Sequence, residues 1–124
     1  MDFNNKILIV DDEEDIRELL AMMIKELGFS NIETVGNGND ALAHISDNDV
    51  GLVISDLNMP HMGGIELLKQ VREREFVVKR FLFISGDDAP TLSSSDQDHF
   101  EIGFLQKPFH FDDLQTALER FYIK

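Results

Sequence analysis

Apolar and polar positions along the chain follow two alternating patterns. The first is the unbroken apolar run Ile7-Leu8-Ile9-Val10, which stops at the acidic stretch Asp11-Asp12-Glu13-Glu14-Asp15. A short continuous apolar run closed by charge predicts a buried strand. The second pattern follows at once. Ile16, Leu19, Leu20, Met23, Ile24 and Leu27 recur at steps of three and four and stop before Gly28, which predicts an amphipathic helix over roughly residues 14–27 with a glycine at its C-terminal cap. The couplet then repeats: a weaker strand over residues 32–35, the turn Gly36-Asn37-Gly38, a short helix carrying Ala41, Leu42 and Ile45, and a strand over residues 50–55. The loop from Asp56 to Gly64 leads into a helix with Ile65, Leu68 and Val71 inward, and a fourth strand covers residues 81–84. Residues 102–106 make a fifth strand, and a last helix bears Leu114, Ala117, Leu118 and Phe121, with Asp112 and Gln115 as its expected capping pair.

One stretch breaks the rhythm. Between Ser85 and Phe100, Pro90, serines at 93–95 and acids at 96 and 98 leave only Ala89 and Leu92 at apolar spacing, so a fourth helix there is expected to be loosely held. Strands alternating with helices imply an α/β fold: a five-stranded parallel sheet, doubly wound, with helices packed on both faces by right-handed crossovers. No linker, repeat or composition shift divides the chain, so residues 1–124 are expected to be one domain.

Composition narrows the function. At 43% hydrophobic over 124 residues the chain closes one sizeable core. Eleven Lys and Arg against 24 Asp and Glu give a formal charge of −13, which disfavours direct binding to nucleic acid or an anionic membrane, since both demand clustered cations. No apolar run approaches the roughly 18 residues of a membrane span, and the N-terminus lacks the layout of a signal peptide, so a cytoplasmic location is expected. The absence of Cys removes disulfides, thiolate nucleophiles and Cys-based zinc sites.

In an open parallel sheet, ligands sit at the carboxyl ends of the strands, beside the point where strand order reverses. Asp11 and Asp12 follow the first strand, Asp56 the third, Ser85 the fourth and Lys107 the fifth, so the topology gathers them at one edge. Any one such Asp is commonly a helix cap or turn former. Three crowded carboxylates, however, repel unless a cation is bound or their pKa values rise. Oxygen donors without Cys or paired His suit Mg²⁺ or Mn²⁺. Lys107 and Ser85 add an ammonium and a hydroxyl, a set suited to a phosphoryl group. His44, His61, His99 and His110 show no ligand spacing and are expected on the surface or in loops.

Asp11-Asp12, Asp56 with Met59-Pro60 and Gly64, Ser85-Gly86 and Lys107-Pro108-Phe109 together resemble the receiver domain of two-component response regulators, over nearly the whole chain. The resemblance implies a flavodoxin-like (βα)5 fold with strand order 2-1-3-4-5. It implies that Asp56 takes a phosphoryl group from a phosphohistidine of a histidine kinase or histidine phosphotransfer protein. Asp12 and Asp56 would bind Mg²⁺ directly, Asn58 through its carbonyl, and Asp11 mainly through water. Lys107 would pair with phosphoryl oxygens, Ser85 and Phe104 would be the coupled switch pair, and Asn58 and Asp87 would border the path of the hydrolytic water. The Lys107–Pro108 bond would be cis. An unknown downstream protein would read the output.

Two departures stand out. Residues 93–101 replace the family's usual well-formed fourth helix and Ala-Gly-Ala segment, and Gly63 replaces the usual acidic or amide residue. Two other classes compete with the receiver reading. Asp56-x-Asn58 after a strand resembles the nucleophile loop of a haloacid-dehalogenase-like phosphatase, although that family uses Asp-x-Asp after its first strand. A non-phosphorylated binding scaffold would share the fold, but retention of every site residue argues against it.

Overall fold

The computed structural model of the chain describes residues 6–47, 49–86 and 90–122. Strands and helices alternate throughout: β1 (Lys6–Val10), α1 (Glu14–Glu26), β2 (Ile32–Val35), α2 (Gly38–Asp47), β3 (Val50–Asp56), α3 (Gly64–Glu73), β4 (Arg80–Ser85), α4 (Ser94–His99), β5 (Glu101–Gln106) and α5 (Phe111–Tyr122). All strand pairings are parallel and the order is β2-β1-β3-β4-β5, as the resemblance implied.

Successive side chains of a strand point to opposite faces, and the core divides accordingly. Ile7, Ile9, Leu52, Ile54, Leu82 and Ile84 face α1 and α5, where Leu20, Ile24, Leu114, Leu118 and Phe121 cover them. Leu8, Val10, Val53, Phe81 and Phe83 face the opposite layer, with Leu42 of α2, Leu67, Leu68 and Val71 of α3, and Phe100. A central strand buried on both sides has no polar alternation, which is why residues 7–10 read as an unbroken apolar run.

The buried stripe of α1 is narrower than the periodicity suggests. α1 rests on Leu20 and Ile24, while Leu19 lies at the flank and is 40% exposed, contrary to its expected inward place. Gly28, at φ 105°, closes the helix as expected of a residue without a Cβ. In α5 the capping bond comes from neither expected residue: Asp113 Oδ2 accepts from the His110 N–H at 2.8 Å, and the Asp112 carbonyl takes the Thr116 hydroxyl.

The weak stretch before β5 holds a helix of six residues, α4. Ser93, one of the serines that spoil the apolar pattern, is its N-cap and accepts from the Asp96 N–H at 3.1 Å. Asp96 itself is 2% exposed and paired with Arg72 of α3. Phe100 ends the helix and stands edge-on to Phe81, 5.3 Å between centroids. Among the described residues, an ion pair and a ring fasten α4 in place of an apolar stripe.

Candidate functional site

The sheet register decides where the polar residues meet. Val10 pairs with Val35 and with Ser55, Asp56 pairs with Ile84, and Ser85 pairs with Gln106. The carboxyl ends are thus level, and the residues just beyond them share one edge, at the β1–β3 junction where strand order reverses. One carboxylate oxygen from each of Asp11, Asp12 and Asp56 lies within 4.8 Å of the others. Lys107 Nζ stands 3.4 Å from Asp56 Oδ2 and 4.0 Å from Asp11 Oδ2.

Short local bonds hold each group. Asp11 continues the β1 ladder through its N–H, 3.2 Å from the Val35 carbonyl, and its Oδ1 accepts from the Glu13 N–H at 2.9 Å. Asp56 Oδ1 accepts from the Asn58 N–H at 3.1 Å, an Asx turn that carries the chain away from β3. Ser85 is buried at the end of β4, and its carbonyl accepts the Lys107 N–H at 2.7 Å, so the Lys backbone is tied to the strand beside Asp56. The Lys107–Pro108 peptide bond is cis, as the resemblance implied.

The loop after Asp56 accounts for the second departure. A Cβ on Gly63 would stand 2.5 Å from the Leu57 carbonyl oxygen, and one on Gly64 would stand 2.9 Å from that of Asp56. The returning backbone lies directly against the outgoing one, with the Gly64 N–H on the Leu57 carbonyl at 3.1 Å. Gly63 begins α3 without a side-chain cap, and any side chain at this position requires the loop to open.

Burial raises the Asp11 pKa above the ordinary 3.8; the Glu13 N–H lowers it, Asp56 raises it, Lys107 lowers it, and Asp12 raises it slightly. Adjacent oxygens of an octahedral Mg²⁺ stand about 3 Å apart and opposite ones about 4 Å. One oxygen from each of the three carboxylates lies within 4.8 Å of the others, close to that spacing. Donor type and spacing fit a hard divalent cation.

Phe104 is 37% exposed on β5, its ring 5.8 Å from Phe83. Phe104 pairs with Phe83 and Gln106 with Ser85, so by alternation Ser85, Phe83 and Phe104 share one face of the sheet. Asn58 is exposed next to Asp56. Asp87 lies outside the described residues. None of the four histidines joins the acidic cluster: His44 Nε2 is 3.2 Å from Lys6 Nζ, His99 Nε2 is 2.8 Å from Lys79 Nζ, and His61 and His110 are exposed. Sequence reading missed Arg17, whose Nη1 donates to the Asp11 carbonyl at 2.8 Å. An Arg among the polar positions of an amphipathic helix carries no mark of that contact.

Residues 7–119 match the family described as response regulator receiver domain. The chain is 32% identical over 120 residues to chemotaxis protein CheY-3 of Vibrio cholerae, covering 96% of this chain and 92% of that protein. Among solved structures, Vibrio cholerae CheY4 superposes with a TM-score of 0.81 at 30% identity, over 95% of this chain and 98% of that one. The response regulator TrrA of Thermotoga maritima, solved in complex with Mg(2+)-BeF, gives 0.78 at 30% identity, over 94% and 98%.

Proposed function

The chain belongs to the response regulator receiver domain family, a family of phosphoacceptor signalling domains, and on that premise we propose that Asp56 is its phosphorylated residue. The observation that carries this assignment is the convergence on Asp56 of two further carboxylates and the Lys107 ammonium, 3.4 Å from Asp56 Oδ2. An Asp56 oxygen attacks the phosphorus of a phosphohistidine, a P–O bond forms, the N–P bond breaks, and the departing imidazole takes up a proton. The donor is a histidine kinase or a histidine phosphotransfer protein, and a downstream protein reads the result. Residues 1–124 act as one receiver, in the cytoplasm.

Asp11, Asp12, Asp56 and the Asn58 carbonyl would hold Mg²⁺, with Mn²⁺ as a substitute, and the cation supplies charge neutralisation at the phosphoryl oxygens. The Mg(2+)-BeF complex of the Thermotoga relative supports this choice. Lys107 binds a second phosphoryl oxygen. The Ser85 hydroxyl moves to a third and vacates space on the face it shares with Phe104, which turns inward. Asn58 and Asp87 flank the approach of hydrolytic water and set the lifetime of the acyl phosphate.

Incubation with Mg²⁺ and acetyl phosphate, followed by intact-mass measurement, tests the reading. One adduct of about 80 Da, absent from Asp56→Asn and decaying over modest times, is expected. Rapid multiple turnover would instead mark a phosphatase, and no adduct a scaffold.

A further inference from the structure

β1 ends at Val10, so the Asp11 carbonyl is the first beyond the strand. Its N–H still pairs with β2, but the carbonyl is met by a side chain: Arg17 Nη1, from the second turn of α1, at 2.8 Å. The guanidinium is walled on another side by the turn after β2, since a Cβ on Gly36 would stand 3.3 Å from the same Nη1. Arg17 is also joined to the turn through its backbone, its N–H on the Glu13 carbonyl at 3.1 Å, while the Glu13 N–H binds Asp11 Oδ1 at 2.9 Å. The Asp11–Glu13 turn is therefore held at its main chain by Arg17 and at its side chain by Glu13.

We propose that Arg17 is a positioning residue for the phosphoryl-accepting site, fixing the Asp11-Asp12 turn so that both carboxylates face Asp56. The inference rests on the reading of the site given above. Arg17 touches no reacting atom; it acts through the Asp11 carbonyl, as groups behind metal ligands do when they lock ligand orientation. Gly36 belongs to the same device, because its missing side chain leaves the guanidinium its place. Its backbone does not lie in the left-handed region, and a Cβ there would meet only Arg17 within 4 Å.

Three variants of the full chain test this: Arg17→Met, which keeps the apolar stem and removes the donors, Arg17→Lys, and Gly36→Val. Mg²⁺ affinity by calorimetry, amide exchange of Asp12 and Glu13 in the metal-free protein, and the thermal midpoint are measured on each. Arg17→Met is expected to weaken Mg²⁺ binding about tenfold or more and to speed Glu13 exchange. Arg17→Lys should recover part of both, because one donor and the charge remain. Gly36→Val should move both in the same direction by a few-fold. A lowered thermal midpoint with unchanged Mg²⁺ affinity and unchanged Glu13 exchange would make Arg17 merely structural and overturn the proposal. Should the wild-type chain bind no Mg²⁺, the reading of the site fails by itself. Glu13 exchange then decides for Arg17, with acceleration supporting the proposal and no change overturning it. If Arg17→Met does not fold, Arg17→Lys and Gly36→Val decide the matter by the same two measurements.

Discussion

Arg72, in the last turn of α3, pairs with Asp96 in the middle of α4, and the two partners differ in burial: the Arg side chain is 33% exposed and the Asp side chain 3%. The asymmetry ranks the single substitutions. Arg72→Met strands a buried carboxylate, whereas Asp96→Ala leaves a guanidinium that can reach water. Arg72→Met should therefore cost about 2–3 kcal/mol and Asp96→Ala about 1–2, with the double variant less destabilised than the sum. Urea denaturation of the four proteins measures this, and equal costs would contradict the burial argument.

Gly63→Ala should destabilise the fold by about 1–3 kcal/mol, because its Cβ would stand 2.5 Å from the Leu57 carbonyl and the loop must open to admit it. The displacement begins next to Asp56, so Mg²⁺ affinity should fall as well. Thermal denaturation with and without Mg²⁺ separates the two effects. A fully wild-type variant would show that the loop carries no such constraint.

Asp11 makes the metal-free protein pH-dependent. Burial raises its folded pKa above the unfolded 3.8, so the folded state holds the proton more tightly and the Asp11 contribution is fully present below 3.8. That contribution is lost as pH rises from 3.8 through the folded value, and at neutral pH the ionised group is a net cost. Asp11→Asn keeps the acceptor for the Glu13 N–H without the charge. It should raise metal-free stability at neutral pH, remove this descending limb, and weaken Mg²⁺ binding. Stability curves from acid to neutral pH, recorded with a chelator present, provide the comparison.

Lys107→Met removes a cation 3.4 Å from Asp56 and 4.0 Å from Asp11 that competes with a bound metal. A charge pair at such distances is worth about 1 kcal/mol in a water-like dielectric, so Mg²⁺ should bind up to roughly fivefold more tightly. Phosphoryl uptake from acetyl phosphate should slow nonetheless, because a positive partner for the phosphoryl oxygens is gone. Weaker Mg²⁺ binding would show that Lys107 holds the carboxylates in place instead of competing for them.

Amide exchange over α4 should be faster than over α5, since α4 has six residues against twelve and lacks an apolar stripe. A beryllofluoride mimic with Mg²⁺ should change exchange in α4 if movement of Ser85 and Phe104 repacks it. Strong protection without the mimic would contradict the looseness, and exchange indifferent to the mimic would contradict the coupling.

The sequence by itself determined the alternation of strands and helices, the two-layered core and the edge at which the acids gather. Apolar residues 7–10 and the spacing of Leu20 and Ile24 declare local periodicity, and parallel strands leave their ends no other place to converge. Motif resemblance added the strand order, which periodicity alone leaves open. Only the tertiary structure decided what depends on distance between remote residues. Asp96 reads as a helix breaker until Arg72 stands beside it, Ser93 as a loop residue until it caps α4, and Arg17 as a solvated charge until the end of β1 turns its carbonyl toward it. Gly63 reads as a departure from pattern until the returning loop lies against Leu57. In each case the residue's own preference is weak, and its role comes from a partner group whose approach is set by packing of the whole sheet.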